Sequence, residues 1–187
     1  MVPLSGNSRE ILDRYVINLL MKKSENIWIN ITGDCMDPWL LNGDKVCVAP
    51  KDNYSVGDMV VRYSKGRLLA HRIVHICNEQ IITKGDNTYI MDEIITNSDI
   101  VGIIVAKKNN AGDECLISNE KSMIVRVGAY FSYLSGYWMN EHLRISVLWQ
   151  KKILLFIHNV FKKIALYLFK YAYKIQMKPQ QDQWRVS

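Results

Sequence analysis

Cys35, His71 and two acids, Asp86 and Asp92, follow one another along the chain, each at the edge of a strand-like segment. A thiol, an imidazole and a carboxylate in that order supply a nucleophile, a base and a group that orients the base, the logic of covalent acyl transfer. Cys35 lies in Ile31-Thr32-Gly33-Asp34-Cys35-Met36-Asp37-Pro38. Its own N–H is the expected oxyanion donor, and Met36 and Pro38 fix the turn behind it. Gly33, Asp34 and Met36 are the expected substrate contacts. Residue types alone leave two choices open. His71 and His75 point the same way in a regular strand, so spacing does not select the base. Asp86 sits in a Gly-Asp-Asn turn, where an aspartate commonly caps its own backbone, and Asp92 follows six residues later. A lone free cysteine is otherwise most often a small buried hydrophobe. Cys35, His71, His75 and Asp86 could be written as a metal site, but their spacing follows no recognised zinc pattern, and neither a metal nor a cofactor is expected.

The blocks gain weight from their order. The Cys35-Met36-Asp37-Pro38 turn precedes Gly57-Asp58-Met59-Val60-Val61, then His71-Arg72-Ile73-Val74, then Lys84-Gly85-Asp86-Asn87 with Asp92 behind it. Over residues 27–106 this series resembles the signal peptidase I family, and most closely its archaeal and endoplasmic-reticulum branch, which uses histidine rather than lysine as the base. The resemblance implies a mainly β catalytic core of the signal-peptidase and LexA-like type. It assigns the nucleophile to position 35, the base to His71 rather than His75, and the orienting role to Asp92, with Asp86 structural or supporting. Three departures stand out: Cys35 replaces the family serine, Gly33 stands where a serine hydroxyl often serves the oxyanion hole, and the N-terminal membrane anchor is missing. The related self-cleaving repressors share the nucleophile turn but use a lysine base and usually carry a DNA-binding domain in front. Here His71 stands where lysine should, and the residues before Asn26 are too few for a helix-turn-helix domain.

The elements that must position these groups can be read from composition and period. At 187 residues the chain can build one good core. Its four cysteines show no short paired spacing, so neither a disulfide framework nor a zinc knuckle is indicated. Free thiols suit a reducing compartment, and residues 1–25 lack the apolar core of a signal peptide. The expectation is a cytoplasmic protein, peripheral at the inner face of the membrane. Residues 1–25 read as an N-terminal amphipathic helix over Ser8–Lys23, with Ser8 as N-cap. Residues 26–117 read as the β catalytic domain, with strands near 27–32, 45–49, 58–63, 67–76, 79–84 and 100–106 separated by turn signals. Gly43, Asp44, Gly57 and Asp58 read as turn and fold residues. Residues 118–187 read as a helical extension: one helix near 119–138, weakened by Gly128, Ser135 and Gly136, then a basic amphipathic helix over about 143–176.

Charge is unevenly placed. Residues 1–140 hold 15 Lys and Arg against 16 Asp and Glu, whereas residues 141–187 hold 9 against 2. On the last helix Ile153, Ile157, Val160, Phe161, Ile164, Leu168, Tyr171 and Ile175 share one sector, with Lys151, Lys152, Lys162, Lys163, Lys170 and Lys174 opposite. So many lysines exclude a comfortable membrane span. Three readings stay open: the stripe packs on the β core, lies on an anionic membrane surface, or fills a partner's groove. No nucleic-acid reading motif accompanies the basic residues, and none is expected as partner. The expected activity is that of a peptidase cleaving a leader from a peptide or preprotein substrate, with a peptide exporter or maturation enzyme as further partner. The alternative is a degenerate relative that binds and delivers such a peptide.

Overall fold

Short Val- and Ile-rich segments punctuated by Gly, Asn and Asp turns form one antiparallel sheet, curved into a half-barrel. In the computed structural model, residues 26–64, 67–117, 122–144 and 147–176 are described. The strands are β1 (Ile27–Asn30), β2 (Lys45–Ala49), β3 (Met59–Ser64), β4 (Arg67–Cys77), β5 (Gln80–Lys84), β6 (Ile94–Ile95), β7 (Ile100–Lys108) and β8 (Glu114–Leu116). Their order in the sheet is β1-β2-β7-β3-β4-β5-β6, with β8 on β7. Six of these match the sequence expectation closely. β6 and β8, at two and three residues, carry too short a period to be foreseen. The expected N-terminal helix over 8–23 falls outside the described residues.

The Gly-Asp turns tie the loops to the strands. Asp44 O accepts from Ile31 N–H at 2.7 Å and Ile31 O accepts from Gly43 N–H at 2.9 Å, which closes the loop that carries Cys35. Gly57 N–H donates to Ile73 O and Ile73 N–H to Asp58 O, both at 2.8 Å, which ties the second turn to β4 just past His71. Gly43 and Gly57 sit at φ +93° and +101°, a region that side chains with a Cβ rarely adopt. The main core lies on one side of the sheet and includes Met36, Trp39, Leu40, Val46, Val48, Met59, Val61 and Ile104.

Two helices, α1 (Met123–Arg144) and α2 (Leu148–Gln176), pack against each other and on the sheet. α1 runs on to Arg144 and α2 begins at Leu148, both later than the sequence suggested. Gly128, Ser135 and Gly136, read as weak points of a helix, are buried contacts instead. A Cβ on Gly128 would sit 2.7 Å from the Phe169 ring, and one on Gly136 would meet Met91. The cost in helix propensity is the condition for close approach of Phe169.

The amphipathic stripe of the last helix is also corrected. The buried side of α2 is Leu154, His158, Ala165, Phe169 and Ala172, while Ile153, Val160, Tyr171 and Ile175 are exposed. Beside Leu154 and Phe169 the core-facing sector uses two alanines and one histidine, which hydropathy patterning undervalues, and the apolar stripe it favoured lies mostly to one side. The helix does pack on the β core. Its Phe169, Ala165 and Ala172 join the main cluster, and Tyr173 meets Trp39 edge-on at 5.3 Å.

Candidate active site

β4 carries His71 and the loop after β5 carries Asp92. His71 Nδ1–H donates to Asp92 Oδ2 at 2.6 Å. The same carboxylate oxygen accepts from Thr83 Oγ1 at 2.6 Å and lies 3.4 Å from Arg62 Nη2. Asp92 N–H donates to Thr83 O at 3.0 Å, so β5 fixes both the backbone and the side chain of the acid. Burial alone would raise the Asp92 carboxyl. The bond to His71, with Thr83 and Arg62 in support, outweighs it and holds the carboxyl below its usual range.

The ring is 4% exposed. Burial favours its neutral form, but the hydrogen bond to Asp92 and the Cys35 sulfur on the other side push its pKa up to about 9. Nε2 is buried and has no hydrogen bond of ordinary geometry. A ring held at Nδ1 by a carboxylate and bare at Nε2 beside a thiol is set to move a proton at Nε2.

Cys35 is half-buried in the turn after β1, and its thiol is free. Cys35 O accepts from Asn87 N–H at 2.8 Å, and Asp34 O accepts from Asn87 Nδ2 at 3.3 Å. The Gly-Asp-Asn loop therefore clamps the nucleophile turn from above. Its first residue must be glycine on space alone: a Cβ on Gly85 would sit 2.7 Å from Cys35 O and 3.0 Å from His71 Nε2. Gly85→Ala is expected to lower peptide cleavage at least about a hundredfold, because an ångström-scale misplacement of reacting groups costs that much. Circular dichroism and denaturant midpoint would show the fold retained.

The expected site residues divide clearly. Cys35, His71 and Asp92 come together. Asp86 does not reach His71; it accepts from Arg72 Nε at 2.9 Å and Arg72 Nη2 at 2.8 Å, and both partners are buried. Arg72 follows His71 in the strand and so faces the other side of the sheet, which carries Asp86 with it. His75 stacks on Tyr133 of α1 at 4.6 Å. A bulge between Ile73 and His75 breaks the alternation that made the two histidines equivalent by sequence. Gly33, at φ +89°, gives its N–H to Asn42 Oδ1 at 3.1 Å, and Asp34 is exposed. Cys35 N–H donates no hydrogen bond among the described residues, so it is free for an oxyanion.

A cleft of about 80 Å³ opens beside Cys35. Ile29–Thr32 form one wall, Leu68–Ala70 of β4 the other, and Met36 and Val61 the floor. Among the described residues β1 pairs only with β2, which leaves its other edge free to hydrogen-bond an extended peptide.

Against known proteins, a family model described as Peptidase S24-like matches residues 6–126. The chain belongs to the Peptidase S24-like family. No curated protein matches it. The match spans the sheet, the nucleophile turn and the start of α1, so the half-barrel is an S24-like peptidase domain.

Around this site Arg62 and Thr83 were not singled out by sequence, and Lys84 and Asn87 entered only as members of the Lys84-Gly85-Asp86-Asn87 block, without a contact of their own. Thr83 was recoverable from strand pairing, since it pairs with Ile73 and so lies diagonal to His71 on one face. Lys84 Nζ is buried and donates to Thr88 O at 2.9 Å and Ser132 Oγ at 3.3 Å, joining the loop to α1. Burial brings its pKa down to about 8, with Lys162 adding to the effect and Asp86 opposing it. No local pattern marks these contacts, because each joins elements far apart in the chain.

Proposed function

We propose that this S24-like domain is a cysteine peptidase working by a Cys35-His71-Asp92 thiol mechanism, on the histidine-base plan of the signal peptidases. The His71 ring supports it above all: Asp92 at 2.6 Å on one nitrogen, and a bare second nitrogen beside the Cys35 sulfur. The Cys35 thiolate attacks the scissile carbonyl, and the oxyanion takes a hydrogen bond from Cys35 N–H. His71 gives its Nε2 proton to the leaving amine as the C–N bond breaks, which leaves a thioester. Neutral His71 then takes a proton from water, the hydroxide attacks the thioester, and the carboxylic acid departs as the thiol reforms. The substrate adds as a strand along β1, with a small side chain in the 80 Å³ cleft. Removal of a leader from a small ribosomally made peptide before export fits the thiol and the cytoplasm-facing reading of the sequence.

The test is cleavage of a candidate precursor peptide by the wild type and by Cys35→Ala. Cleavage that disappears in the variant, with a thioester caught in the wild type by rapid quench, is the expected result; equal cleavage by both ends the cysteine mechanism. One observation favours a second reading, a peptide binder without turnover. Gly33 offers no hydroxyl, and its N–H is already taken by Asn42, so Gly33 supplies no second oxyanion donor. Removing such a donor costs about 10²–10³ in rate. Iodoacetamide labelling of Cys35 separates the two: a thiol no faster than a free model thiol supports the binder.

A further inference from the structure

We propose that the outward face of α2 lays the protein on an anionic lipid surface. The core-facing side of α2 is already occupied by Leu154, His158, Ala165, Phe169 and Ala172. A second apolar sector remains, and nothing among the described residues covers it. Trp149, Phe156 and Tyr167 are 61%, 69% and 70% exposed, and Ile153, Val160 and Tyr171 are exposed with them. From Trp149 through Phe156, Val160 and Tyr167 to Tyr171 the steps are seven, four, seven and four residues. An 11-residue repeat keeps a nearly straight line on an α-helix, so the stripe runs along about 33 Å of helix at 1.5 Å per residue. A contiguous exposed stripe of large apolar groups marks a docking surface rather than ordinary solvated surface.

The charge beside the stripe identifies the occupant. Exposed Lys152, Lys163, Lys170 and Lys174 line one flank, and the whole of α2 contains no Asp or Glu. Trp and Tyr are the residues that rest at headgroup depth, with an apolar body below and a polar tip above. A lysine row against an aromatic stripe, with no acid to repel phosphate, complements an anionic bilayer. No helix among the described residues is long and apolar enough to cross a membrane, so the contact is in the plane of the surface. Away from the stripe α2 meets the loop after β5 at the same time: half-buried Lys162 Nζ donates to Asn87 O at 2.9 Å and lies 3.8 Å from the Tyr89 ring centroid. The lipid-facing and site-facing sides of one helix are therefore different residues.

The test is co-sedimentation of the full chain with vesicles of phosphatidylcholine alone and of phosphatidylcholine with phosphatidylglycerol. The protein is expected to pellet with the anionic vesicles, to stay in solution with the neutral ones, and to be released by high salt. Each lysine near an anionic surface contributes about a fivefold gain in affinity, so Lys152→Glu, Lys163→Glu, Lys170→Glu and Lys174→Glu together should weaken binding more than about a hundredfold. Phe156→Ser with Tyr167→Ser should weaken it at least about tenfold through lost apolar burial. All six positions are exposed, and circular dichroism checks that the variants fold. Equal pelleting with both vesicle types, no pelleting with either, or unchanged binding by the lysine variant would each overturn the proposal. So would a dimer in sedimentation equilibrium that Phe156→Ser returns to monomer, because that assigns the face to a second copy.

Discussion

Asp92→Asn is expected to slow peptide cleavage by about two to four orders of magnitude, the range that a positioned acid–base group contributes. The carboxylate holds His71 by Nδ1 and favours the imidazolium that must protonate the leaving amine. An asparagine amide can instead donate to Nδ1, which places the neutral ring's proton on Nε2 and blocks that nitrogen as a base. The pH dependence makes the test specific. With the His71 pKa at about 9, the wild-type ring stays protonated through neutrality and loses its proton as pH rises through that value. Single-turnover thioester formation should therefore hold at neutral pH and fall on the alkaline side near pH 9. Removing Asp92 takes away the leading contribution that raises the pKa and leaves only Cys35 against burial, which lowers it. The alkaline limb must then move to lower pH. A slow variant whose limb stays near pH 9 would mean that Asp92 acts on something other than the ring.

How much of this arrangement was legible in the sequence depends on whether a residue acts locally or across the fold. The order of the proposed nucleophile, base and acid can be read along the chain, because each block sits on its own strand end or turn and needs no knowledge of its neighbours. The choice between His71 and His75 was not available from alternation, since the bulge after Ile73 is invisible to a period-two pattern. The two aspartates separate for a structural reason. Arg72 follows His71 and so points away from it, and it takes Asp86 to the far side of the sheet. In the C-terminal helix Ala165, Ala172 and His158 share the core contact with Phe169 and Leu154, while several large apolar residues look outward. Hydropathy found an amphipathic helix but ranked its faces by size instead of by fit. Likewise, glycines in α1 that look like breakers are the residues that admit Phe169 and Met91.

Asp86→Ala is expected to destabilise the fold by about 3–5 kcal/mol, the cost of stranding one charge of a buried pair. Arg72 and Asp86 are both buried, and the guanidinium lies between the Phe169 ring at 4.3 Å and the Trp39 ring at 5.3 Å, with Nη1 donating to Gly57 O at 2.8 Å. Without the carboxylate, Arg72 keeps one backbone acceptor and two aromatic faces, which do not replace an ion pair in a dry site. Against a typical total of about 5–15 kcal/mol, such a loss is a large part of the whole. It should appear as a lower urea midpoint at unchanged slope. Arg72→Met added to Asp86→Ala should restore most of it, because the charge left unpaired is then gone and the apolar chain can fill the space between Trp39 and Phe169. The two aspartates should thus give opposite signatures. Asp86→Ala lowers stability and leaves the alkaline limb of His71 near pH 9, since Asp86 is not among the groups that shift that ring. Asp92→Asn moves the limb. If Asp86→Ala shifted the pH profile and left the urea midpoint in place, the far-side placement of Asp86 would be wrong, and with it the assignment of Asp92 as the acid behind the base.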